Sequence, residues 1–374
     1  MSPQRLFCLN PYCASRAKVD AGNIIVHSSL HQRFRCQTCG QTFSYTKGTL
    51  FYRLKTDPKI VVCILTLLAY GCPLQAIMHA FELDPRTIAN WQKRAGEHCK
   101  QLHQRLVVEQ PRDLVQVQAD EIRAKMQRRM AAWMAMAIAV PTRLWLGGVI
   151  NPSRNTHLIC GLVNMIRAQA LERPILLMSD GLSTYVKAWK RAFTNRDTSG
   201  KVGRPRKLAW CGVVIGQVIK RYERHRAIGV EHRRLVLGSE EAFQRLCIAG
   251  QVMNTAYIER LNATFRQRLC GLVRRGRCLL RRRSALEQGM YLVGCVYNFC
   301  TPHKSLRAKA ENASCFLQRT PAMAAGITEE IWSVNDLLSY RIVPQPYVWP
   351  KPKSNRGRPL GSKNKPKPPK GEPE

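Results

Sequence analysis

The sequence predicts a mixed α/β protein in which a zinc ribbon and a helix-turn-helix precede a sheet flanked by helices. Three observations carry this. Two closely spaced cysteine pairs stand near the N-terminus, Cys8/Cys13 and Cys36/Cys39. Capped apolar helices fill residues 57 to 100. Beyond Leu114 the pattern changes to strand alternation and then to a buried apolar run, Ile175 to Met178. Strands that alternate with helices in this way argue for a mixed sheet.

The cysteine pairs come first. Four residues separate Cys8 from Cys13, two separate Cys36 from Cys39, and 22 lie between the pairs. Each short spacing lets one turn aim two thiolates at one ion, and two such turns complete a tetrahedron. Strand-like Ile24-Ile25-Val26 and Arg33-Phe34-Arg35-Cys36, then Gly40 and Phe43, lie between and after them. The expected domain is a ribbon over residues 1–50 holding structural Zn2+, without which so small a core hardly folds.

The helical stretch follows. Asp57-Pro58 makes an N-cap with proline in the first turn, and Gly71 ends the helix that it opens. A second helix is expected from about Pro73 to Phe81, and Asp84-Pro85 starts a third, Arg86 to His98. A short helix tightly linked to a following one fits helix-turn-helix geometry over residues 56–102. Its groove-facing residues would be Arg86, Thr87, Asn90 and Lys93.

The charge agrees with that reading. The 374 residues carry 60 Lys and Arg against 24 Asp and Glu, a net +36. Self-repulsion of this size opposes compactness and is most simply answered by a polyanion such as double-stranded DNA. A membrane surface is the rival partner. However, the most apolar runs, Ile60–Tyr70 and Ala131–Val140, fall short of the ~20 residues that span a bilayer. The N-terminus does not read as a signal peptide. The 15 cysteines, odd in number and scattered, suit a reducing compartment better than a disulfide framework.

Carboxylates then mark the α/β region. Leu114 to Ile122 alternates as a strand and contains Asp120 and Glu121, which alternation sends to opposite faces without choosing between them. Met130–Val140 and Leu144–Ile150 read as two further strands, and a helix follows to Ala170. Ile175–Met178 reads as a strand buried on both faces. It ends in Ser179-Asp180-Gly181, at a strand end where function collects in open α/β sheets, although a helix cap there is equally natural. Helix 254–269 buries Ile258, Leu261, Phe265 and Leu269, with Glu259, Asn262 and Arg266 along the adjoining edge. Glu259 is the single acid between Val252 and Arg283. Three carboxylates on separate elements suit Mg2+ (or Mn2+) and phosphodiester chemistry.

Ala119-Asp120-Glu121, Ser179-Asp180-Gly181 and Asn254-Thr255-Ala256-Tyr257-Ile258-Glu259-Arg260-Leu261-Asn262 resemble the three blocks of DDE insertion-sequence transposases. The order of domains is similar to that of the insertion-sequence-one type. Tyr297-Asn298, His303 and Leu306 resemble the end of the catalytic domain. The resemblance implies a ribonuclease-H-like domain over residues 112–307, with catalytic and magnesium-binding Asp120, Asp180 and Glu259. It thereby selects Asp120 over Glu121, and it places Arg266 on DNA. It also implies an enzyme that cuts transposon ends and joins the 3′-hydroxyl to target DNA, as a homo-oligomer in a bacterial-type, nucleoid-associated cytoplasm. The 79 positions from Asp180 to Glu259 exceed the family's compact form and mark residues 194–238 as an insertion. The rival readings are a DNA-binding regulator derived from a transposase and a metal-dependent nuclease without strand transfer.

Residues 308–350 read as a C-terminal extension. The Pro-, Lys- and Gly-rich segment 351–374 reads as a disordered basic tail. Within it Arg356-Gly357-Arg358-Pro359 resembles an AT-hook core, so Arg356 and Arg358 would enter a narrow minor groove.

Overall fold

The computed structural model describes residues 6–127, 131–197, 206–223, 226–248, 252–273, 278–309 and 316–344. Arg356 and Arg358 lie outside them. The chain divides into two units, of which the second is Ser44–Ile342.

In the first unit, β1 (Ile24–Ser28) pairs antiparallel with β2 (Arg33–Cys36), and β3 (Thr42–Ser44) lies on the other side of β2. The core is small: Leu6, Phe7, Ile24, Phe34 and Phe43, with the last two rings 6.2 Å apart. So few apolar side chains cannot hold a fold of this size alone. Four cysteine thiols sit at its centre.

The second unit opens with α1 (Pro58–Ala69), α2 (Leu74–Phe81) and α3 (Pro85–His103). Asp57 caps α1 by accepting from the Lys59 amide at 2.9 Å, and Asp84 caps α3 by accepting from Arg86 at 2.7 Å. Gly71 (φ +89°) ends the first helix, and a Cβ there would meet the Gln267 carbonyl at 2.7 Å. Glycine is therefore required twice over, for conformation and for space.

Six strands form the main sheet: β4 (Gln116–Lys125), β5 (Ala131–Ala139), β6 (Trp145–Asn151), β7 (Ile175–Asp180), β10 (Val213–Glu223) and β11 (Arg226–Leu237). A separate two-stranded ribbon, β8 (Thr194–Arg196) with β9 (Lys207–Ala209), precedes β10. The order across the main sheet is β11-β10-β7-β4-β5-β6. Pairing is antiparallel for β4-β5, β5-β6 and β10-β11, and parallel for β4-β7 and β7-β10. The sheet is thus mixed, as expected. Two helices, α4 (Thr156–Gln169) and α5 (Ser183–Ala192), connect β6 to β7 and β7 to β8. Further along the chain come α6 (Glu240–Leu246), α7 (Ala256–Arg268) and α8 (Arg283–Cys295).

Residues 194–238 are not an appendage. Val213-Val214-Ile215 continues the sheet beside β7, with Val214 and Ile215 buried, so this segment supplies two of the six strands. Length alone marked it as additional, whereas its apolar run places it in the sheet.

The C-terminal part adds the short pair β12 (Ala308–Lys309) and β13 (Phe316–Leu317), then α9 (Pro321–Ala324) and α10 (Val334–Ser339). Leu337 and Leu338 are buried, and the Leu337 carbonyl bonds the His98 ring of α3 at 3.0 Å. No helix among the described residues is long and apolar enough to cross a membrane.

Candidate metal centres and nucleic-acid interface

In the first unit the ligand atoms of Cys8, Cys13, Cys36 and Cys39 all lie within 4.8 Å of one another. The Sγ–Sγ separations are 3.6 Å for Cys8–Cys39 and 3.8 Å for Cys13–Cys36. The turn after Cys36 closes through the Gly40 amide bonding the Cys36 carbonyl at 2.8 Å. Burial raises the Cys39 thiol, but the Gln41 amide and the Asn10 side chain outweigh it and bring the pKa down to about 7. Four converging sulfurs can bind zinc, since thiolate is its preferred ligand in closed structural sites.

In the second unit the parallel register of β4 and β7 positions two acids. Gln118 is opposite Met178, so Asp120 and Asp180 each stand two residues beyond the last such pair. Asp180 is the last residue of β7, at the carboxyl end where α/β sheets gather functional groups, whereas Asp120 lies midway along β4, just past the end of its pairing with β7. Glu121 joins them. Carboxylate oxygens of Asp120, Glu121 and Asp180 lie within 4.8 Å of one another, and such a group can hold a divalent metal.

Strand alternation predicts that Asp120 and Glu121 diverge, whereas their carboxylates converge. Asp120 Oδ1 accepts the backbone N–H of Glu121 at 2.8 Å, which turns the carboxylate back along its own strand. Arg154, just before α4, spans the cluster from the other side. Its Nε donates to Glu121 at 2.6 Å and its Nη2 to Asp180 at 3.0 Å. Burial first, then the charges of Asp180 and Glu121, push the Asp120 carboxyl up to about 7. Burial also raises Glu121, against the opposing hydrogen bond from Arg154. Beneath them Tyr185 is fully buried, and burial together with these acids keeps its hydroxyl protonated.

Glu259 is not brought into this group. Its Oε1 accepts from Lys220 Nζ of β10 at 2.5 Å and from Thr255 Oγ1 at 2.6 Å. Burial would raise its carboxyl, but these two donors lower it on balance. The helix that carries it nevertheless touches the acids. Asn262, one turn later, donates from Nδ2 to Asp120 Oδ2 at 2.7 Å. The start of α7 is held by a residue of β4. Gln118 Oε1 accepts the amides of Tyr257 and Ile258 at 3.0 and 3.1 Å, and its Nε2 donates to the Asn254 carbonyl at 2.8 Å. First-turn amides have no partner within their own helix, so this buried glutamine caps α7 from the sheet. Arg266 is half-buried farther along the same helix.

The expected groove-facing residues fall on α3. Arg86, Asn90 and Lys93 are exposed, and Thr87 is half-buried. Asn90 and Lys93 line a cleft between α3 and α8, as does Arg86.

Sequence reasoning set Asn262 on the edge beside Glu259 but gave it no role. Arg154 falls in the stretch that leads into a helix, and the contacts of Lys220 and Gln118 have no local signal at all. Compared with models of known protein families and with curated proteins, the chain matches none of them.

Proposed function

We propose that this chain is a DNA transposase of the DDE type, with a ribonuclease-H-like catalytic domain built on the six-stranded sheet. The observation that carries the reading is the convergence of Asp120 and Asp180 from adjacent parallel strands, in a chain with a net charge of +36. Acids gathered within a basic molecule suit metal-assisted chemistry on a phosphodiester. The three sequence blocks, the helix-turn-helix spacing of α2 and α3 and the four-cysteine cluster support it as well. The zinc is then structural. Double-stranded DNA is the substrate, bound as transposon ends and target by a homo-oligomer.

In this reading Asp120 and Asp180 hold Mg2+ or Mn2+. Bound divalent ions activate the attacking oxygen and stabilise the leaving one. The protein supplies position and charge. Asn262 orients the Asp120 carboxylate, and Gln118 fixes the helix that carries Asn262. Arg154 pairs with both Glu121 and Asp180 through one guanidinium and so offsets part of their charge. The third ligand would be either Glu121, already in the group, or Glu259, whose carboxylate is held by Lys220. A second reading, a DNA-binding regulator derived from a transposase, draws on the same Arg154, whose guanidinium already pairs with two of the three acids.

The test incubates the purified chain with duplexes carrying candidate element ends and Mg2+ or Mn2+, then resolves nicked and joined products. Asp120→Asn and Asp180→Asn should bind the duplex and yield neither product. Whichever of Glu121→Gln and Glu259→Gln is also inactive identifies the third ligand. Cutting without joining would indicate a nuclease. Binding without cutting by the unaltered chain would favour the regulator. Unimpaired cutting by both aspartate variants would sink the assignment.

A further inference from the structure

Arg281 and Arg282 lead into α8, and Arg283 is its first residue. All three are exposed, and among the described residues none forms an ion pair. Cations placed side by side without acids repel one another, which a fold tolerates most readily where an anion is to be received.

Two clefts meet at these arginines. One is the cleft of about 790 Å³ along the exposed face of α3. Its wall carries five cations, Arg86, Lys93, Lys100, Arg281 and Arg282, against two acids, Glu97 and Glu287. Both acids are already engaged, Glu97 by Lys93 at 3.9 Å and Glu287 by Lys100 at 2.7 Å. The arginines are left uncompensated. The second cleft is lined by Arg281, Arg282 and Arg283 together with Met126 and Pro152, and no acid is among the described residues of its wall. Met126 directly follows β4. Pro152 stands two residues before Arg154, which binds Glu121 and Asp180. Arg282 supplies no side-chain cap to α8, so the first-turn amides of that helix add partial positive charge to the same surface.

We infer that Arg281, Arg282 and Arg283 form a phosphate-binding track that carries a DNA strand from the exposed face of α3 to the acidic group. The inference rests on the DNA reading above and assigns it a surface. Phosphate is the matching ligand because guanidinium groups bind its oxygens in pairs and carry no preference among bases. Such a track positions the strand and leaves sequence readout to α3.

The test measures binding of the full chain to fluorescent duplexes of several sequences, between about 50 and 200 mM salt, the range over which counterion release is read. In Arg281→Ala/Arg282→Ala/Arg283→Ala, affinity should fall equally for every sequence. The slope of log affinity against log salt should become shallower by ~0.9 for each phosphate that the variant leaves unneutralised. Arg281→Lys/Arg282→Lys/Arg283→Lys should keep most of the slope. The control is Lys187→Ala/Lys190→Ala/Arg191→Ala, an equal charge change on exposed positions of α5. An unchanged slope in the arginine triple, or equal losses in both alanine triples, would overturn the track while leaving DNA binding intact. Failure of the unaltered chain to bind any duplex would instead overturn the reading on which the track rests.

Discussion

Asn262 of α7 donates its side-chain amide to the Asp120 carboxylate of β4 at 2.7 Å, joining a helix edge to the middle of a strand 142 positions away. Asn262 is 1% exposed and Asp120 half-buried, so loss of the amide leaves a partly buried carboxylate short of one donor. Asn262→Ala should lower unfolding free energy by about 1–3 kcal/mol, the range for hydrogen bonds to charged groups and their desolvation. Urea denaturation without divalent ions checks this. A variant as stable as the parent would show that the bond does not hold α7 to β4.

The same carboxylate predicts a pH dependence. Burial, then the charges of Asp180 and Glu121, raise Asp120 from an ordinary 3.8 to about 7. A group whose folded pKa is raised stabilises the fold below its unfolded pKa, and that contribution is lost as pH rises through the folded value. Stability from Asp120 should therefore decline between about pH 4 and about pH 7 in metal-free protein. Glu259 has the opposite sign, because Lys220 and Thr255 lower it against burial. Its contribution is present above the ordinary glutamate range and is lost as pH falls. Subtracting the stability profile of Asp120→Asn from that of the parent should show the decline, and a flat difference would refute it.

The cysteine cluster predicts zinc dependence of a defined region. Elemental analysis should find about one zinc per chain, as one tetrahedral site requires. Cys36→Ser should lose it. Hydrogen exchange should then quicken over Ile24–Ser28 and Arg33–Cys36 while the main sheet keeps its protection. Retained zinc in the variant would remove Cys36 from the ligand set.

Close packing of α3 on α8 predicts a steric cost. A Cβ at Gly96 would lie 2.5 Å from the Gln288 Cα and 2.7 Å from its carbonyl oxygen, both backbone atoms that cannot step aside. Gly96→Ala should destabilise by about 1–3 kcal/mol, as overpacking does. Gly161→Ala is the comparison. Its nearest contact would be Val149 Cγ1 at 3.4 Å, so the helix gains up to ~1 kcal/mol from the better residue. Thermal denaturation should order the three proteins Gly161→Ala, parent, Gly96→Ala.

The sequence by itself determined the local order. Asp57-Pro58 and Asp84-Pro85 announced helix starts because capping is satisfied within a few residues. Alternation over residues 116–122 and the apolar run 175–178 announced strands because burial on one or both faces sets their periods. The cysteine pairs announced a cluster because each pair closes within its own turn. Tertiary structure alone decided which acids meet. Asp120 and Asp180 are neighbours through the register of two strands separated by some sixty positions, and neither strand's own pattern contains that register. Glu121 enters the group because Asp120 folds back on its amide and Arg154 reaches across. Glu259 stays outside because Lys220 takes it, and Lys220 lies on a strand that segment length had marked as an insertion. Long-range pairing and counter-charge govern where a carboxylate points, and both depend on contacts that exist only once the sheet has formed.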